Sequence, residues 1–162
     1  MGMERIFHTL EPVFDENSKV LILGTLPSPK SRETGFYYGH KQNRFWRVLA
    51  AVFDEAVPFS VEEKKAFVLA KHVALWDVCA SCLISGASDS SIKDPVFNDF
   101  SLITSVAHIN AVFTTGKTAF SLYRKATGET PFLLPSPSPA NCAVKFDTLV
   151  EAYKTILPYL QS

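Results

Sequence analysis

The chain alternates short apolar runs with segments whose apolar residues recur at helical spacing. Lys19-Val20-Leu21-Ile22-Leu23-Gly24 is a continuous run closed by a glycine, the pattern of a parallel strand buried on both faces. Val73-Ala74-Leu75-Trp76, Ala111-Val112-Phe113 and Phe132-Leu133-Leu134 are further runs of this kind. Phe45, Val48, Leu49, Val52 and Phe53 fall at i, i+3, i+4, i+7 and i+8, which predicts a helix from about Arg44. Glu62 to Lys71 is rich in helix formers. Phe97, Phe100 and Ile103 suggest another helix, Lys117 to Lys125 a further one, and Phe146, Leu149, Val150, Tyr153, Ile156 and Leu157 a closing one. Strands alternating with helices argue for a parallel sheet covered on both faces. Ligands of such sheets bind beyond the carboxyl ends of the strands. Three loops are expected there: Thr25 to Asn43, Asp77 to Asp94 with a Ser/Gly/Asp-rich stretch from Ser81, and Pro135 to Asn141.

Composition narrows the class. With 162 residues, 47% apolar and 20% charged, residues 1–162 are expected to form a single domain, and a disordered or low-complexity chain is excluded. No apolar run approaches the ~18 residues that cross a bilayer. No signal-type stretch follows Met1-Gly2-Met3-Glu4-Arg5. The expectation is a cytoplasmic monomer with no membrane partner. Cys79-Ala80-Ser81-Cys82 has CxxC spacing, but only Cys142 and distant histidines are left to complete a zinc site. Free thiols, no metal and no cofactor are therefore expected.

Sixteen basic side chains balance sixteen acidic ones, so the chain as a whole does not resemble a coat for nucleic acid. The first loop differs. Lys30, Arg32, Lys41, Arg44 and Arg47 are opposed there only by Glu33, and Phe36, Tyr37, Tyr38, Phe45 and Trp46 are interleaved with them. Cations with aromatics suit a phosphate backbone and a stacked base. Gly116-Lys117-Thr118 looks like a phosphate loop, but the Walker spacing requires a glycine where Ala111 stands, so a turn entering a helix is the better reading. His8, His72 and His108 are isolated. His40 lies in the long loop, three residues before Asn43.

The segment Gly24-Thr25-Leu26-Pro27-Ser28 together with Gly35-Phe36-Tyr37-Tyr38-Gly39-His40-Lys41-Gln42-Asn43-Arg44-Phe45-Trp46 resembles the first signature of the uracil-DNA glycosylase superfamily. Leu134-Pro135-Ser136-Pro137-Ser138-Pro139-Ala140-Asn141 is similar to its second signature, a Pro/Ser loop after the last strand. The resemblance implies a three-layer α/β/α sandwich with a central, mostly parallel four-stranded sheet. It also implies an enzyme that flips a deaminated base out of double-stranded DNA and hydrolyses its N-glycosidic bond.

One departure refines this reading. The uracil-cleaving branches carry a polar Asn or Asp after the first strand, whereas Thr25 and Leu26 stand here, and Leu134 replaces a histidine. Loss of that group with Asn43 retained is similar to the hypoxanthine-DNA glycosylase family, in which the catalytic role falls to the asparagine matching Asn43. The same resemblance makes Tyr38 the base-stacking aromatic. It places Gly24, Thr25, Leu26, Pro27 and His40 around the base, and Ser28, Lys30, Lys41, Arg44, Ser136, Ser138, Pro139, Ala140 and Asn141 on the DNA. Read without the family, Asn43 is a helix N-cap, and the two roles are compatible. Two rival readings are a uracil or G·U mismatch glycosylase and a catalytically silent reader of damaged DNA.

Overall fold

A computed structural model describes residues 4–7, 10–26, 36–84 and 92–161. In chain order they hold β1 (Glu4–Phe7), β2 (Val20–Gly24), α1 (Phe45–Val52), α2 (Val61–Ala70), β3 (Val73–Asp77), β4 (Cys79–Ile84), β5 (Lys93–Phe97), α3 (Ser101–Thr104), β6 (Ala111–Thr115), α4 (Lys117–Thr127), β7 (Phe132–Leu134) and α5 (Phe146–Tyr153). A short 3-10 turn, Pro139–Asn141, precedes α5, and a longer one, Lys154–Leu160, follows it.

The apolar runs form one four-stranded sheet in the order β3-β2-β6-β7, parallel throughout. Its inner strand β2 is buried along its whole length, as its unbroken apolar sequence requires. The register sets Gly24 beside Asp77 and Thr115 beside Leu134, so the strand ends lie close together. Helices flank this sheet in a three-layer α/β/α arrangement: α2 contacts β3, α4 contacts β6 and β7, and α1 packs on α5. Phe45, Leu49, Leu149, Tyr153 and Ile156 are fully buried in that packing. Helix α2 opens with a capping box in which Ser60 and Glu63 satisfy each other's backbone N–H groups.

The region expected as a loop from Ser81 is different. Cys79–Ile84 is a strand, and with β1 and β5 it makes a second, antiparallel sheet in the order β1-β4-β5. Its short polar residues are satisfied across strands, with Arg5 Nη1 donating to Ser81 Oγ at 2.8 Å. Strand β5 contains Pro95, tolerable because the strand is an edge. Residues 85–91 of that expected loop lie outside the described residues. The helix expected from Phe97 shrinks to α3, because Phe97 ends β5. Phe100, half-buried, meets the buried Trp76 and Tyr123 edgewise or tilted, so one helical turn is enough to cover them. The closing helix changes to 3-10 geometry after Tyr153, over a segment that holds Pro158.

Candidate active site at the strand ends

Strands β2, β3 and β6 end at Gly24, Asp77 and Thr115. A methyl group on the Gly24 Cα would lie 2.5 Å from Asp77 Oδ1, 3.4 Å from the Tyr38 hydroxyl and 3.6 Å from Thr115 Oγ1. Three oxygens therefore converge over a residue with no side chain. The Tyr38 hydroxyl and Thr115 Oγ1 share a hydrogen bond of 3.2 Å. Asp77 is only 4% exposed. Its negative charge and, above all, burial raise the Tyr37 phenol well above its ordinary pKa. Tyr37 stays protonated and donates to the Glu11 carbonyl at 2.7 Å. In the sequence Asp77 reads only as the start of a loop. The signal available was a carboxylate ending an apolar run whose neighbouring strand ends in glycine.

The Tyr38–Asn43 turn is held down by aromatic packing. Phe36 stacks on Trp46, whose Nε1 donates to the Tyr37 carbonyl at 3.0 Å. Tyr38 has a left-handed φ of 54°, and its ring stacks on Phe45 at 3.8 Å with 13° between planes. One face of the ring is thus covered, and its hydroxyl is tied to β6. The His40 carbonyl accepts from Asn43 N–H at 2.9 Å, and His40 Nδ1 accepts from Gln42 N–H at 3.0 Å, which fixes the turn leading into Asn43. Helix α1 begins at Phe45, and Asn43 Oδ1 accepts the Phe45 N–H at 2.9 Å. Asn43 therefore caps from just outside the helix. Its oxygen is committed, and its Nδ2 has no hydrogen-bond partner among the described residues.

The second loop is prearranged from below. Arg44, expected on DNA, sends its guanidinium to the carbonyl oxygens of Val144 (2.6 Å), Asn141 (3.0 Å) and Ser138 (3.4 Å), and its N–H to the Pro137 carbonyl at 3.1 Å. Tyr153 donates to the Pro135 carbonyl at 2.8 Å. Within the loop Asn141 Nδ2 donates to the Ser136 carbonyl, Ser136 Oγ accepts from Ser138 N–H and Ser138 Oγ accepts from Ala140 N–H. Both hydroxyls act as acceptors inside the loop, which leaves each O–H able to donate. Pro139 lies in the 3-10 turn, and Ala140 is exposed.

The end of β2 is tied to the start of β4. The Gly24 and Thr25 carbonyls accept from Val78 and Cys79 N–H at 2.8 and 3.0 Å. Thr25 is buried, Leu26 half-buried and Leu134 buried. The Tyr38 hydroxyl reaches the end of β2 at Gly24 and Ser136 lies against Gly116, while Asn43 shares a pocket wall with Tyr38. Lys41 stands exposed on the turn. Pro27, Ser28 and Lys30 lie outside the described residues. Gly116 has φ 96° at the turn into α4, with Lys117 exposed after it, so the Gly116-Lys117-Thr118 segment is a helix entry. Cys79 and Cys82 are buried in β4 and Cys142 is exposed. Among the described residues no group of three or more His, Cys, Asp or Glu is arranged to hold a metal.

A family model for the uracil DNA glycosylase superfamily matches residues 11–161, nearly the whole chain. The chain belongs to that superfamily. Among superfamily relatives, a hypoxanthine DNA glycosylase of Methanosarcina barkeri is 34% identical over 134 residues, 80% of this chain and 85% of its own length. A hypoxanthine DNA glycosylase of Methanosarcina acetivorans is 37% identical over 134 residues, 80% of this chain and 84% of its own. The solution NMR structure of a candidate uracil DNA glycosylase from Methanosarcina acetivorans superposes with a TM-score of 0.80 at 28% identity, covering 98% of this chain and 100% of that one.

Proposed function

We propose that this protein is a monofunctional DNA glycosylase that removes hypoxanthine from deoxyinosine in double-stranded DNA and leaves an abasic site. The observation that carries the reading is Asn43, half-buried on one pocket wall with Tyr38, its carbonyl locked on the Phe45 N–H and its amide N–H2 without a partner among the described residues. The relatives that are 34% and 37% identical act on hypoxanthine by name, which supports the choice of base.

Hydrolysis of a base inside a duplex requires extruding it, at a cost of a few kcal/mol. The Ser136–Asn141 loop, already shaped by Arg44 and Tyr153, enters the minor groove and fills the vacated stack. The Ser136 and Ser138 hydroxyls donate to the backbone. The extruded purine lies at the strand ends against Tyr38, itself backed by Phe45, near Gly24, Thr25 and Leu26. Water forms the new bond to C1′ as the C1′–N9 bond breaks, and the purine leaves with the proton that the water gives up. Asn43 orients that water. No charged side chain stands at Thr25, Leu26 or Leu134, and the charged group at the end of β2, Asp77, is a carboxylate, so the negative charge growing on the leaving purine is stabilised by stacking and preorganised dipoles.

The test is to incubate the protein with duplexes carrying inosine, uracil or only ordinary bases and to measure abasic sites. Abasic sites in the inosine duplex above all others are the expected result. Dominant uracil cleavage would move the substrate to uracil. Binding without cleavage of any duplex would make the protein a silent reader.

A further inference from the structure

An open pocket of about 280 Å³ separates the Tyr38–Asn43 turn from the segment Val57–Phe59. Lys41, Arg47 and Lys64 line it, and none of the three forms an ion pair among the described residues. In a chain of zero net charge, three uncompensated cations around one pocket are a local excess. Arg47 makes only a long contact, 3.5 Å, to the Asn43 carbonyl. Lys64 lies partly buried with its ammonium 5.4 Å from the Trp46 ring centroid. The neighbouring Glu63 forms no ion pair with it; its Oε1 is turned to the Phe59 and Ser60 N–H groups.

Phe59 stands on the rim of this pocket and is 90% exposed. It is not on a loose segment, since Pro58 beside it is buried and the α2 capping box holds its own N–H. A pinned, solvent-facing ring above unpaired cations matches the chemistry of a nucleotide, with a π-face for the base and positive charge for the phosphate. Asn43 and Tyr38 form the opposite wall, so the pocket adjoins the site at the strand ends.

We propose that this pocket holds the nucleotide next to the extruded one on the damaged strand, with its phosphate among Lys41, Arg47 and Lys64 and its base on Phe59. The assignment rests on the glycosylase reading, because extrusion is what leaves that neighbouring base without its stacking partner. It also replaces Arg44 by Lys64 in the set of cations that face DNA.

Equilibrium binding to a duplex with 2′-fluorinated inosine, whose glycosidic bond resists hydrolysis, tests the subsite. Phe59→Ala is expected to raise Kd about tenfold. Arg47→Gln and Lys64→Gln are each expected to flatten the slope of log K against log salt by about 0.9. Val106→Ala, at a residue 52% exposed on another surface, serves as the control with unchanged Kd. Should Lys64→Gln melt early, Lys41→Gln on the exposed turn replaces it. Wild-type Kd and slope in the Phe59 and cation variants would overturn the proposal, including in favour of a protein partner for Phe59. Hypoxanthine release from ordinary inosine duplex by the wild type is read separately. No release, with the Kd effects present, overturns the glycosylase reading and leaves the nucleotide subsite standing.

Discussion

Arg44 donates to the Val144 carbonyl oxygen at 2.6 Å across one hundred residues of sequence, and so joins the residue after Asn43 to the far end of the second loop. Its remaining contacts to Asn141 and Ser138 make the guanidinium a bracket for the loop. Hydrogen bonds from charged donors are worth about 1.5–3 kcal/mol each and are not additive, so Arg44→Ala is expected to cost at least ~2 kcal/mol in a thermal melt. Arg44→Lys keeps the charge and loses the planar fork, and is expected to be nearly as damaging. If Arg44→Lys matches the wild type in melting and turnover, Arg44 acts as a charge and the bracket is not needed.

Tyr38 and Thr115 give a second prediction. The shape of the ring alone would make Tyr38→Phe silent, but the hydroxyl is bonded to Thr115 Oγ1. Tyr38→Phe is expected to lower stability by about 0.5–1.5 kcal/mol and to reduce turnover a fewfold. Tyr38→Ala, which also removes the layer on Phe45, should slow processing of inosine about tenfold or more. A melting point for Tyr38→Phe equal to the wild type would show the hydroxyl to be idle.

Gly24 allows the close approach at the strand ends. With Asp77 Oδ1 at 2.5 Å from the position of an added methyl, Gly24→Ala must displace the Asp77 side chain. Overpacking of this kind costs about 1–3 kcal/mol. A melt and an inosine-cleavage assay should show both stability and turnover falling. An unperturbed variant would mean that Asp77 moves freely and does not shape the site.

Tyr37 and Tyr153 set the alkaline limit. Burial raises both phenols, and each donates to a carbonyl, Glu11 for Tyr37 and Pro135 for Tyr153. Below the unfolded tyrosine pKa of about 10 both states are protonated and the stabilisation is complete. Above it the unfolded chain releases protons that the folded chain keeps, so stability falls as pH rises. Phenolate absorbance of the native protein should lack Tyr37 and Tyr153, two of the five tyrosines, until the fold melts, and Tyr123, also raised by burial, should ionise late. Native ionisation of all five near the ordinary pKa would contradict the burial argument.

The parallel sheet was legible because Val20–Gly24 and its neighbours are buried on both faces, which leaves an unbroken apolar run. The second sheet was not. In Cys79-Ala80-Ser81-Cys82 the small polar residues rely on Arg5, more than seventy residues away, and in Lys93-Asp94-Pro95 an edge position tolerates charge and proline. Asn43 was visible both as a cap and in the family motif. The commitment of Arg44 and the convergence of Asp77 on Gly24 were hidden, because each depends on a contact between distant segments that no local pattern encodes. Phe59 sits before a helix with a Ser60-x-x-Glu63 box, and nothing in its neighbourhood signals exposure.

Asn43→Ser separates the cap from the chemistry. Serine caps a helix about as well as asparagine, so this variant keeps an acceptor for the Phe45 N–H and removes only the amide N–H2. The measurement is single-turnover release of hypoxanthine from an inosine duplex, with a thermal melt beside it. The account predicts that the wild type releases the base, while Asn43→Ser melts near the wild type and releases it about a hundredfold more slowly or worse. Release by Asn43→Ser at the wild-type rate would contradict the account, and Asn43 would then be a helix cap alone.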